Sequence, residues 1–123
     1  MARQASKQYD LEDRTFEFAR QIRQSVKMLP KTPANVEDGR QLVRASGSVG
    51  ANYIEANEAV SRKDFAFRVK ICRKESKESR YWLRLVDTRD HGPTETQRQA
   101  LVQEATELMK IFGAIVRKTR SPS

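Results

Sequence analysis

Apolar positions recur along this chain at spacings of three and four residues in four separate stretches, the pattern of helices that bury one face. In the first, Leu11, Phe18, Ile22, Val26 and Leu29 follow one another at 7, 4, 4 and 3. The spacing predicts a helix over about 11–29. Asp10 offers an N-cap oxygen, and Asp13 places a carboxylate near the positive end of the helix dipole. Pro30 and Pro33 bound the loop that follows.

The second helix is predicted from Pro33, with Thr32 as N-cap and Asn35 as the rival cap, to about residue 59. Its seam is expected along Val43, Ser46, Gly50, Ile54 and Asn57, flanked by Leu42 and Val49. Small residues crowd its middle: Ala45, Ser46, Gly47, Ser48, Gly50 and Ala51. Each glycine within a helix costs about 1 kcal/mol against alanine. A close neighbour that needs the missing side chains accounts for them, and a locally weak helix is the alternative.

The third helix opens at Ser61 with Asp64 three residues on, a capping-box-like start. Phe65, Val69, Cys72, Ser76, Ser79, Leu83 and Val86 then repeat at 4-3-4-3-4-3, a buried seam with a small-residue waist. Gly92 and Pro93 are expected to end this segment. Thr94 and Gln97 have capping-box spacing at the start of the fourth helix, where Leu101, Ala105, Leu108, Phe112 and Ile115 repeat at 4-3-4-3, widened by Val102, Met109 and Val116. No stretch reads as a strand. Four helices with short connections predict an all-α fold, a single-domain antiparallel up-down four-helix bundle. It is expected over residues 10–118, between flexible ends at 1–9 and 119–123.

The 123 residues suffice for one domain with its own core. Charged residues make up 33% and hydrophobic residues 37%, which suits a thin-cored bundle with wide solvated faces. The formal net charge is +8, which bears on partners rather than fold. Candidate partners are nucleic acid, an acidic membrane surface or an acidic protein. The charge runs through helices and tail instead of gathering in one juxtamembrane block, which favours nucleic acid. With one cysteine, Cys72, an internal disulfide is excluded, and a reducing compartment follows. No apolar run reaches membrane-span length, and the first residues lack a secretory apolar segment. A cytoplasmic protein is expected.

Candidate chemistry is sparse. The single histidine, His91, lies in a helix-bounding loop, whereas Cys72 belongs to the apolar seam, so the two are not a nucleophile and its base. Nothing has the spacing of zinc ligands, of di-iron Glu-x-x-His pairs or of a phosphate loop. Glu75 and Glu78, three apart on one helix, read as ion-pair partners rather than paired acids. No enzyme, metal or cofactor is predicted.

The third helix carries the strongest signal. Lys70, Arg73, Lys77, Arg80 and Arg84 recur at 3-4-3-4, one cationic stripe about 20 Å long, offset by one residue from the apolar seam. Across the seam lies a mixed face of Asp64, Arg68, Ile71, Glu75, Glu78 and Trp82. Residues 62–84 hold nine Lys/Arg against three acids. Such a row can track nucleic-acid phosphates, with a solvated face and a subunit contact as alternatives. Tyr81 and Trp82 can stack on bases or guanidinium groups, or anchor an interface. Arg117, Lys118 and Arg120 in the basic tail are further candidates.

Residues 46–86, SGSVGANYIEANEAVSRKDFAFRVKICRKESKESRYWLRLV, resemble the four helix bundle protein family. That family includes the 23S rRNA intervening-sequence proteins and the accessory variability proteins of diversity-generating retroelements. The Ser-Val-x-x-Asn-Ile-x-Glu block of its second helix is matched by Ser48-Val49-Gly50-Ala51-Asn52-Tyr53-Ile54-Glu55, and its Ser-x-x-Asp/Glu-Phe helix start by Ser61 to Phe65. Where the family's third helix has Ser-x-x-Glu and a hydrophobic end, this chain gives Glu75-Ser76-Lys77-Glu78, ending Tyr81-Trp82-Leu83-Arg84-Leu85. The likeness extends over about residues 10–118. It implies that Ser48, Asn52, Glu55, Asp64, Glu75, Glu78 and Trp82 are structural or interface residues. It also implies a basic homo-oligomer, a pentamer, that binds RNA or DNA. A reverse transcriptase partner or a purely structural oligomer are the alternative roles.

Overall fold

A computed structural model describes residues 11–120. Over them the chain forms four helices: α1 (Leu11–Met28), α2 (Pro33–Asn57), α3 (Arg62–Leu85) and α4 (Gly92–Thr119). Among the described residues there is no strand. Each helix packs on its neighbour in the chain, and α4 closes lightly onto α1, while the α2–α3 contact is the most extensive. The result is the expected up-down four-helix bundle.

The predicted seams account for most of the core. Phe18 and Ile22 of α1, Val69, Cys72 and Leu83 of α3, and Leu101, Leu108 and Phe112 of α4 are all buried. The serine waist of α3 is buried too. Ser76 and Ser79 satisfy their hydroxyls by donating to the carbonyls of Cys72 and Glu75, both at 2.8 Å. Two predicted caps form: Thr32 Oγ1 accepts from Asn35 N at 3.1 Å, and Ser61 Oγ accepts from Asp64 N at 3.0 Å. Asp10 and most of the proposed flexible ends lie outside the described residues.

Along α2 the buried line is Leu42, Ala45, Val49, Tyr53 and Ala56, rotated by one residue from the expected Val43–Ile54–Asn57 line. Ile54 is half exposed. The rotation follows from what the glycines do. They face α1: a Cβ on Gly50 would lie 3.0 Å from Thr15 Oγ1, and one on Gly39 would lie 3.1 Å from Val26 Cγ1. The close neighbour is therefore α1, leaving the larger apolar residues for the centre.

The α3–α4 junction differs from expectation. α3 stops at Leu85, and Gly92-Pro93 form the first turn of α4. Proline suits that turn, where its missing N–H has no helical partner to lose. The Thr94–Gln97 capping box does not form, because Thr94 is buried within the helix, its hydroxyl 2.9 Å from His91 Nδ1. What stops α3 is a loop held from across the bundle. Asn35 donates to Pro30 O at 2.9 Å and Asp87 O at 2.8 Å, and accepts from Asp87 N at 2.9 Å. The loop then reverses through Arg89 and Asp90, at φ 55° and 58°.

Candidate nucleic-acid interface

α3 presents one face to α2, one to α4 and one to solvent. On the α2 side, Arg44 reaches across to Glu78 and to Glu75, whose Oε1 lies 3.6 Å from Arg44 Nη1. Glu75 is buried, and that oxygen accepts no hydrogen bond among the described residues. Trp82 Nε1 donates to Glu78 Oε2 at 3.1 Å. Two turns along, Arg68 Nη1 donates to Asn52 Oδ1 at 2.9 Å, and Asn52 Nδ2 donates to Ser48 Oγ at 3.0 Å. Ser48, Asn52, Glu75, Glu78 and Trp82 are therefore brought together as a polar seam joining α2 to α3. Glu55 and Asp64 stand exposed outside it.

On the α4 side the cations converge. Lys70, Arg73, Lys74 and Lys77 of α3 meet Arg120 across Val116, lining an open depression of roughly 300 Å³. Arg117 borders it. A Cβ on Gly113 would lie 3.6 Å from Arg117 Nη1 and 3.8 Å from Arg73 Cδ. Side chains of Arg73 and Arg117 thus lie over one stretch of α4, at ordinary contact distance from position 113. None of these six cations makes an ion pair with a described residue, whereas Arg14, Arg20, Arg40, Arg44 and Arg98 on other faces all do. An anion entering the depression meets donors with no competing carboxylate.

Three stripe residues, Lys70, Arg73 and Lys77, therefore share a groove with Arg120, and Arg117 lies near Arg73 at its edge, although the sequence places these two arginines at the end of another helix. Arg80 is half-buried and does not line the depression; its Nη1 donates to Thr106 Oγ1 at 3.3 Å. Arg84 and Lys118 are exposed but do not line it. Lys74 was missed as a groove residue. Its signal was its place four after Lys70 and three before Lys77, a second line beside the first.

Catalytic chemistry finds no support at Cys72. Its thiol is fully buried, and burial pushes its pKa up to about 12, far from a thiolate at neutral pH. Among the described residues, no helix is long and apolar enough to cross a membrane.

A family model described as 23S rRNA-intervening sequence protein matches residues 7–114. The chain is also similar to a solved structure from Bacteroides thetaiotaomicron, described as a protein with unknown function from the S23 ribosomal protein family. The two share 33% identity over 85% of this chain and 96% of that one, with a TM-score of 0.73. No curated protein matches the chain.

Proposed function

Because the chain belongs to the 23S rRNA-intervening sequence protein family, and because six cations with no ion pair among the described residues gather between α3 and α4, we propose that it binds nucleic acid, RNA foremost, through backbone phosphates. The observation that carries this reading is the groove between α3 and α4, where Lys70, Arg73, Lys74, Lys77, Arg117 and Arg120 lack carboxylate partners among the described residues. Guanidinium and ammonium groups there offer donors only. They suit phosphate oxygens and leave base identity largely unread.

The test is a fluorescence-anisotropy titration with RNA across a range of salt. Each phosphate contact contributes about 0.7–0.9 to the slope of log K against log salt. The triple variant Arg73→Gln, Lys77→Gln, Arg117→Gln keeps good helix formers and is expected to flatten the slope by about two units. Wild-type affinity and slope in the folded triple variant would remove the groove from the binding site.

Self-association is a second element of the reading. It is supported by an apolar groove on the far side of the bundle, between α1 and α2. Phe16 and Ile54 are exposed there beside Gly47, Gly50 and Ala51, around about 430 Å³ of open space. A second copy covering this surface would remove apolar area from water. A monomer mass at micromolar concentration in sedimentation equilibrium would refute it.

A further inference from the structure

The solvent face of α3 carries more than cations. Phe67, Lys70, Lys74, Lys77 and Tyr81 recur at 3-4-3-4, and all five are exposed. The two rings are 57% and 56% exposed, too open to be core residues. They bracket the three lysines along one line, about 21 Å apart by helical rise. Arg68 lies 6.0 Å from the centre of the Phe67 ring. Tyr81 rests edge-on against Trp82, with ring centroids 5.0 Å apart, which leaves a face of Tyr81 open. No carboxylate interrupts the line, because Glu75 and Glu78 turn towards Arg44 on α2.

We infer that this face binds a single strand of nucleic acid, with phosphates held by the lysines and the adjoining groove and with bases stacked on Phe67 and Tyr81. The inference rests on the phosphate-binding reading above and names the form of its ligand. A duplex keeps its bases stacked inside and has no use for exposed rings, whereas an open strand offers a π-face at every base. Aromatic platforms combined with a cationic track are the means by which single strands are held without regard to sequence. At about 3.4 Å per stacked nucleotide, 21 Å accommodates roughly six nucleotides between the platforms.

The rings and the lysines leave different signatures. Binding of an unstructured oligouridine and of an RNA duplex of the same length would be measured for the wild type, for Phe67→Ala/Tyr81→Ala and for Lys70→Gln/Lys77→Gln. Helicity and sedimentation would be checked for each. The expected result is tighter binding of the single strand by the wild type. The aromatic double variant should lose about tenfold or more in single-strand affinity, with the salt slope and duplex binding unchanged. The lysine double variant should instead flatten the single-strand slope by about 1.4. Trp82, the single tryptophan of the chain, should change fluorescence as its neighbour Tyr81 takes a base. Duplex preference in the wild type, or unchanged single-strand affinity in the aromatic variant, would overturn the inference and leave the phosphate reading standing. Binding of neither probe would overturn both. An aromatic variant that changes oligomer mass but not affinity would assign the rings to a protein contact and overturn the inference.

Discussion

Gly47 and Gly50 stand one turn apart on α2, and the two positions should respond oppositely to the same substitution. Alanine in place of glycine in a helix interior gains about 1 kcal/mol from propensity alone. At position 47 the new methyl meets the Arg23 guanidinium at 3.4 Å, the far end of a flexible side chain that can move aside. Gly47→Ala should therefore keep most of that gain. At position 50 the methyl meets Thr15 at 3.0 Å from Oγ1 and 3.3 Å from Cβ. Thr15 is buried, and its hydroxyl is held by the carbonyls of Leu11 at 2.8 Å and Glu12 at 3.1 Å. Making room means moving α1 or breaking those bonds, and such overpacking costs about 1–3 kcal/mol. The propensity gain is cancelled or exceeded, so Gly50→Ala should be neutral to about 2 kcal/mol destabilising. Urea unfolding at one fixed protein concentration, followed by circular dichroism, separates the two through their midpoints. Equal stabilisation by both substitutions would refute the argument that α1 needs the missing side chain at position 50.

Three further outcomes follow from named contacts. Arg44→Ala removes from buried Glu75 its one cation among the described residues and should cost about 1–3 kcal/mol in denaturant unfolding, whereas Arg40→Ala, which breaks an exposed pair with Glu37, should leave the midpoint nearly unchanged. Hydrogen bonds from Arg98, Thr88 and Gln99 hold the Glu95 carboxyl down at about 2, and Arg20 and Gln21 do the same for Glu17. A lowered folded-state pKa gives stability that is present above the ordinary value of 4.5 and lost as pH falls towards 2, so thermal midpoints should decline across that window, and less steeply in Glu95→Gln. Cys72 should resist alkylation at pH 8 in the native protein and react fully in denaturant; rapid native labelling would contradict its burial.

How much was legible in the sequence depended on the range of the interaction. Seams and side-chain caps are local, so Thr32, Ser61 and the apolar lines of α3 and α4 could be read from spacing. The end of α3 could not. Asn35 reads locally as a rival cap, but its side chain is used on Pro30 and Asp87, the latter 52 residues away. Gly92-Pro93 is ambiguous between the end of one helix and the start of the next, and only the extended backbone at Val86 settles it. The rotation of the α2 seam was hidden for a similar reason, since it depends on α1 lying against Gly39 and Gly50. For the groove, the α3 row was visible as a stripe, but its meeting with Arg117 and Arg120 depends on how α4 crosses.

The arrangement of charge on α3 argues against a face that is merely solvated. Elsewhere in the bundle, three arginines sit three residues from a carboxylate and pair with it: Arg20 with Glu17, Arg40 with Glu37, Arg98 with Glu95. Such pairs stabilise a helix slightly, and like charges at the same spacing destabilise it. On α3, Lys70, Lys74 and Lys77 repeat at that spacing, and the one acid at the same spacing from any of them, Glu78 four after Lys74, is taken by Arg44. The helix's two central carboxylates, Glu75 and Glu78, turn towards α2, where Arg44 contacts both. Exchanging one lysine for glutamate would relieve the repulsion at no cost in packing, because all three side chains are exposed. The unrelieved row therefore makes sense in a state where other negative charge lies along it. The free chain contributes none of that charge among its described residues, and a nucleic-acid strand supplies it at each phosphate.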